Sequence, residues 1–251
     1  MEIFFRDKQV FDITLYNKRK CWVMPYFYFD YSYLVLIPAM IFALWAQAKV
    51  NSSFNKYNKV FTRSGMTGAD AARLILDANG LRHVRIEQIA GNLTDHFDPR
   101  TNVIRLSQSV HDSRGIAAVG VAAHEAGHAV QYAENYGPMK IRSAIIPVTN
   151  IGSRLALPIF IIGLLFSYEL AIAGIVLFSL TAVFQAVTLP VEFDASKRAL
   201  AALDGCGRLD DEEVKGAKKV LTAAALTYVA ALASALSQIL RLLIIANRRR
   251  D

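Results

Sequence analysis

The chain has 251 residues, of which 54% are apolar, with a formal charge of +7 and a mean hydropathy of +0.30. That apolar share exceeds the make-up of an average soluble domain, and the excess of Lys and Arg matches the basic cytoplasmic segments of membrane proteins. Cys21 and Cys206 are too few and too far apart for a disulfide framework or a thiolate-rich metal site, and no interleaving of basic and aromatic residues indicates a nucleic-acid partner.

Residues 1–32 are polar and aromatic, with no clean helical or strand period. Met24 opens the run Met24-Pro25-Tyr26-Phe27-Tyr28-Phe29 and reads as the initiating residue, with the residues before it an extension of the start site. Residues 33–50 form the first apolar run, preceded by Tyr26, Phe27, Tyr28, Tyr31 and Tyr33. Aromatic residues gather where a helix enters the headgroup layer, so this run reads as a membrane helix. Ala46-Gln47-Ala48 resembles a signal-peptidase site, with Lys18, Arg19 and Lys20 as a basic leader. Trp45 and Gln47 followed by Lys49 form a membrane exit, however, and favour a helix that is retained.

Residues 51–143 are the largest polar block, expected to form a small α+β domain of zincin type. Thr67-Gly68-Ala69-Asp70 leads into a short helix over 71–78 that stops at Asn79-Gly80. Residues 84–89 read as a strand, and 93–106 as a hairpin turning at 98–102. Its edge strand is suited to pair with an extended peptide, although an ordinary capping hairpin has the same sequence signal. The block then reaches His124-Glu125-Ala126-Gly127-His128. The surrounding residues 116–133 are rich in alanine and lack proline, and they end near Asn135 and Gly137, so they predict a helix.

On that helix His124 and His128 lie four residues apart and share a face, about 5–6 Å apart at Cβ. Two imidazoles so placed can hold one zinc ion, and Glu125 beside them can take a proton from the attacking water. The bland alternative is a buried helix with two satisfied core histidines. Three fixed residues in a chain with five histidines weigh against it. Gly127 costs a helix about 1 kcal/mol relative to alanine, so it implies a close approach by another element. His83, His96 and His111 read as surface or core residues.

Residues 144–189 hold two apolar runs, 144–166 and 170–189, separated by Ser167-Tyr168-Glu169. Each is near the ~20 residues that span a bilayer. Arg154, Pro147 and Pro158 interrupt the first run, which places its initial part at the interface. The turn has no Lys or Arg while both flanks do, so the turn lies outside and the flanks lie in the cytoplasm. Pro190 suits the first turn of a new helix within 190–219, which carries Glu192 and Asp194. Gly205 and Gly207 end that helix, and Asp210, Asp211, Glu212 and Glu213 open the last one. Residues 220–247 are a fourth apolar run, crossing the membrane or lying at its surface with Arg248, Arg249 and Arg250 among the headgroups.

A catalytic zinc takes three protein ligands and keeps a fourth position open. Glu134 is on the same helix but points away from the histidine face. Glu192 is the preferred third ligand, with Asp194 the runner-up. Glu192 and His124 must then lie on one side of the membrane, so the apolar stretch between them crosses an even number of times. Tyr132, Tyr136 and Arg198 are candidate donors to the developing oxyanion.

Three stretches carry a resemblance. They are Leu93-Thr94-Asp95-His96-Phe97-Asp98-Pro99-Arg100, the segment 119–128 around the histidines, and Leu189-Pro190-Val191-Glu192-Phe193-Asp194-Ala195-Ser196. Together they resemble the YugP-like family of neutral zinc metallopeptidases of bacterial membranes, over nearly the whole chain from Met24. More distantly they are similar to membrane-embedded gluzincins such as the CAAX prenyl proteases. The resemblance implies one zinc on His124, His128 and Glu192, with Glu125 catalytic. The distant group often has an aspartate four residues after the ligand glutamate; here that position is Ser196.

The expectation is therefore a mainly α integral membrane protein, with about four apolar helices and a small zincin-like domain. Its expected activity is that of a zinc-dependent endopeptidase, in the plasma membrane of a bacterium, with its site on the cytoplasmic side and membrane or membrane-proximal proteins as substrates. The rival reading is a catalytically silent membrane scaffold that keeps zinc for structure. An intact Glu125 argues against it, as does a set of three ligands where structural zinc normally has four.

Overall fold

The computed structural model describes residues 30–92 and 94–248. Met24, Leu93, Arg249 and Arg250 lie outside the described residues, as does the basic segment at Lys18, Arg19 and Lys20. Residues 32–248 belong to one compact unit.

A short 3-10 turn, Tyr31–Leu36, leads into α1 (Ile37–Tyr57). The polar block then forms α2 (Gly68–Ala78), β1 (Arg85–Ile89), β2 (His96–Asp98), β3 (Val103–Ser107), the single turn α3 (Gln108–His111) and α4 (Ile116–Ala133). Three long helices complete the chain: α5 (Gly137–Phe166), α6 (Tyr168–Gly205) and α7 (Asp211–Asn247).

Local chemistry sets most of these boundaries. Thr67 and Asp70 form a capping box at the start of α2, each side chain taking the other's backbone N–H. Asp210 and Glu213 do the same for α7. At the end of α4, Asn135 takes a left-handed conformation with φ 58°, and the Tyr136 N–H closes onto the Gln131 carbonyl at 2.9 Å. Gly115, at the start of α4, bridges to Phe61, and Ile116 donates to the Val60 carbonyl at 2.9 Å. Both ends of the histidine helix are therefore pinned.

The three strands form one sheet in the order β1-β3-β2, with β1 parallel and β2 antiparallel to β3. β3 is central and largely buried, and β2 is an edge strand beside α4. The expected hairpin is present. The main core lies between this sheet, α2 and α4 on one side and α6 and α7 on the other. Alanines 117, 118, 122, 123 and 126 of α4 are all fully buried, and their short side chains let four elements close around one helix.

Four helical stretches, Tyr31–Tyr57, Gly137–Phe166, Tyr168–Gly205 and Asp211–Asn247, are long and apolar enough to cross a membrane. They present large apolar side chains outward; Leu165 and Phe166 are 68% and 78% exposed. Such a surface suits lipid and not water. The protein is a mainly helical membrane protein with a small α+β part. α5 and α6 are antiparallel partners joined at Ser167, whose side chain caps α6 by accepting the Leu170 N–H.

One expectation is corrected. Pro190 does not open a new helix; α6 runs without a break from Tyr168 to Gly205, with Pro190 inside it. A proline leaves one carbonyl of the preceding turn without its N–H, a cost that packing against neighbouring helices can offset. Pro190 lies within the part of α6 that packs on its neighbours, with Val191 fully buried next to it and Glu192 reached by Arg142 of α5.

Candidate metal centre

The centre is assembled from α4 and α6. α4 presents His124 and His128, with ring centroids 4.6 Å apart in a T-shaped arrangement. α6 brings Glu192 across to them. Its Oε2 lies 3.2 Å from His124 Nε2 and 3.6 Å from His128 Nε2, and the residue is only 2% exposed. One donor atom from each residue falls within 4.8 Å of the others. Two imidazoles and one carboxylate, buried and convergent, fit the donor set of a single zinc with one position left open.

Gly127 explains the close approach of the two helices. A Cβ there would stand 2.7 Å from the Ala195 carbonyl oxygen of α6. The element that the glycine admits is the one that carries Glu192.

Each histidine is oriented through its other nitrogen. His128 Nδ1 is 3.0 Å from Gln131 Oε1, and His124 Nδ1 is 3.1 Å from Ser196 Oγ. Such outer contacts fix the tautomer and the ring plane of a ligand histidine. Gln131 is completely buried, and its amide nitrogen donates to the Val191 carbonyl and to Asp194 Oδ2, both at 2.8 Å. Ser196, four residues after Glu192 on α6, thus supports the His124 ring through its hydroxyl oxygen. Burial works against a charge on His128, but Glu192, Glu125 and Gln131 outweigh it and hold its pKa above the ordinary imidazole value.

Glu125 is 9% exposed and lies next to His124 on α4. Its Oε2 accepts the backbone N–H of Phe97 at 2.9 Å, which ties the carboxylate to the outer edge of β2. Asp95 lies just before that strand, and its carboxylate accepts both the N–H and the hydroxyl of Ser107. Burial pushes the Asp95 carboxyl up against those donors, and the Glu125 charge pushes the same way.

A cavity of about 160 Å³ opens onto these groups. His124, Glu125 and Val121 of α4, Glu192 and Ser196 of α6, and Asp95 line it, together with Leu221, Ala224, Ala225 and Tyr228 of α7. Arg142 of α5 approaches Glu192 from outside the cavity, with one guanidinium nitrogen 3.6 Å from Oε1.

The remaining sequence candidates stand elsewhere. Asp194 is engaged by Gln131 and by Arg198 Nε at 2.6 Å. Glu134 caps the end of α4 and pairs with Arg198 at 2.6 Å. Arg198 is thus held by two carboxylates, and its guanidinium lies 5.8 Å from the Tyr136 ring. Tyr132 is 46% exposed and packs against Phe97. None of Asp194, Glu134, Arg198, Tyr132 and Tyr136 lines the cavity. His83 and His96 are exposed, and His111 pairs with Asp112.

Fold and site together define a class: a helical membrane protein in which a His-Glu-x-x-His helix and a glutamate from a later helix converge on one point. The profile of the family described as "putative neutral zinc metallopeptidase" matches residues 32–247, and the chain belongs to that family. It is 48% identical over 216 residues to the "putative membrane protease YugP" of Bacillus subtilis (strain 168), covering 86% of this chain and 96% of that protein. No solved structure matches the chain.

Proposed function

We propose that this protein is a membrane-embedded zinc endopeptidase that hydrolyses peptide bonds of membrane or membrane-proximal proteins. The observation that carries the reading is the meeting of Glu192 with His124 and His128 beside a second, separately held carboxylate, Glu125. Those three residues would hold one zinc per chain, which supplies Lewis acidity towards the scissile carbonyl and the attacking water. Gln131 and Ser196 keep the two imidazoles in register for it. Glu125 accepts the proton of the attacking water and later delivers it to the departing nitrogen. The outer edge of β2 would take the substrate backbone as an added strand, with Phe97 marking where that edge meets Glu125. Long apolar helices wall the cavity on the α6 and α7 sides, which favours substrates that arrive along the bilayer surface.

The charge pattern supports a cytoplasmic site. The turn at Ser167 has no basic neighbours, while α4 follows and Glu192 precedes segments rich in Lys and Arg.

The test is bound zinc and casein cleavage by detergent-purified wild type, Glu125→Gln and Glu192→Ala. Near one zinc per chain in wild type and Glu125→Gln, with cleavage only in wild type and little zinc in Glu192→Ala, is the expected result. Undiminished cleavage by Glu125→Gln would remove the base. Zinc retained without cleavage in any form would favour the scaffold.

A further inference from the structure

Addition of water to a peptide carbonyl places negative charge on the carbonyl oxygen, and a preorganised donor aimed at that oxygen accelerates the step. The donors that sequence offered are committed elsewhere: Arg198 to two carboxylates, and Tyr132 and Tyr136 outside the cavity. The cavity itself narrows the choice. Asp95, Glu125 and Glu192 are acceptors when ionised, and the Ser196 oxygen is held 3.1 Å from His124 Nδ1, where it supports that imidazole. One further residue with a hydroxyl lines the cavity, Tyr228 on α7, together with His124 and Glu125 of α4.

We propose that Tyr228 is a catalytic residue, its phenolic O–H donating to the carbonyl oxygen as that oxygen becomes an oxyanion. The assignment rests on the endopeptidase reading. In the resting site the Tyr228 hydroxyl interacts with Glu192. Glu192 is well supplied without it, with its Oε2 at the two imidazoles and its Oε1 beside Arg142. The phenol can therefore turn to a stronger acceptor at little cost. Its place on a third helix, α7, brings a donor to the same cavity that the base lines from α4.

The electron and proton count closes without further reagents. The water oxygen bonds to the carbonyl carbon, its proton passes to Glu125, and the carbonyl π pair moves onto oxygen, where Tyr228 holds it by a hydrogen bond while keeping its own proton. Collapse returns the pair to carbon and breaks the C–N bond, and the proton on Glu125 goes to the leaving nitrogen. Tyr228 ends as it began.

The experiment compares wild type, Tyr228→Phe and Glu125→Gln, each purified in detergent, for zinc content, thermal midpoint, casein cleavage, and affinity for a phosphinic peptide with aliphatic side chains flanking the phosphorus. That peptide mimics the tetrahedral species. Tyr228→Phe removes one oxygen and preserves the ring, so zinc and midpoint should match wild type. Its kcat should fall on the order of 10²-fold with KM little changed, the loss known for deletion of a single oxyanion donor. Phosphinate affinity should fall with it, while affinity for uncleaved casein in the Glu125→Gln background is unaffected by adding Tyr228→Phe. Wild-type kinetics and phosphinate affinity in Tyr228→Phe would overturn the assignment and leave the peptidase reading standing. Loss of zinc in Tyr228→Phe would also overturn it, making Tyr228 a support for Glu192. A wild type that neither cleaves casein nor binds the phosphinate would bring down both.

Discussion

Gln131 has no chemistry of its own to offer, yet three of its contacts run through the centre. It is fully buried, it faces His128 Nδ1, and it ties α4 to the Val191 carbonyl and Asp194 of α6. Replacing it with leucine fills the space but leaves His128 Nδ1 without the oxygen it faces and the Val191 carbonyl without its second donor. Outer contacts of this kind are typically worth 10–100-fold in metal affinity. Gln131→Leu should accordingly weaken zinc binding by roughly 10–100-fold, measured by competition with a chromophoric chelator. Unchanged affinity would mean that His128 holds its orientation by packing alone.

Far from the centre, Asp70 offers a pH signature of the polar domain. Its pKa lies below the ordinary 3.8 because the Thr67 N–H and hydroxyl bond its carboxylate. A lowered folded-state value stabilises the protein above the unfolded pKa, and the stabilisation is lost as pH falls through the folded value. Asp70→Asn should therefore lower the thermal midpoint at about pH 6, and the difference from wild type should close near about pH 2–3. A difference that does not depend on pH would assign the effect to helix geometry and not to charge.

At the scale of elements, α4 and α6 approach so closely that no side chain fits between Gly127 and the Ala195 carbonyl. Gly127→Ala improves helix propensity by about 1 kcal/mol in isolation. Here it should push α6 outward and carry Glu192 and Ser196 off the histidines. The expected outcome is unchanged helical circular dichroism with most of the bound zinc lost. Zinc retained at wild-type level would show that the helices can part without disturbing the ligands.

The same pair of helices shows what could be read in advance and why. The bounds of α4 follow from its alanines and from Asn135, and its two histidines declare their common face by spacing alone. The use of Gly127 was visible as an unexplained cost. Gln131, Phe97 and Tyr228 gave no such signal, because each acquires its place through contact with an element distant in sequence. Pro190 misled for a related reason. Propensity places proline at a helix start, but tertiary packing carries α6 straight through it.

At the scale of the whole molecule, α5 and α6 form an out-and-back pair, so the segments on either side of it return to one face. Two exposed positions test this, Lys59 before the pair and Glu169 at its turn. In a background with Cys21→Ser and Cys206→Ser, single cysteines at these positions should respond differently to an impermeant maleimide. Intact cells should label Glu169→Cys alone, and permeabilised cells both. Labelling of both in intact cells would place the polar domain outside. A reversed pattern would invert the protein.

The unbroken course of α6 joins two regions that are usually separate, a membrane-spanning stretch and a candidate metal ligand. Glu192 rides on the same rod as the residues that face lipid, with no hinge loop between them. A helix advances 1.5 Å per residue, so an axial slip of a single residue would carry the carboxylate about half the 3.2 Å that now separates it from His124. Any displacement of α6 along its own axis therefore moves the Glu192 carboxylate by the same amount relative to the two imidazoles.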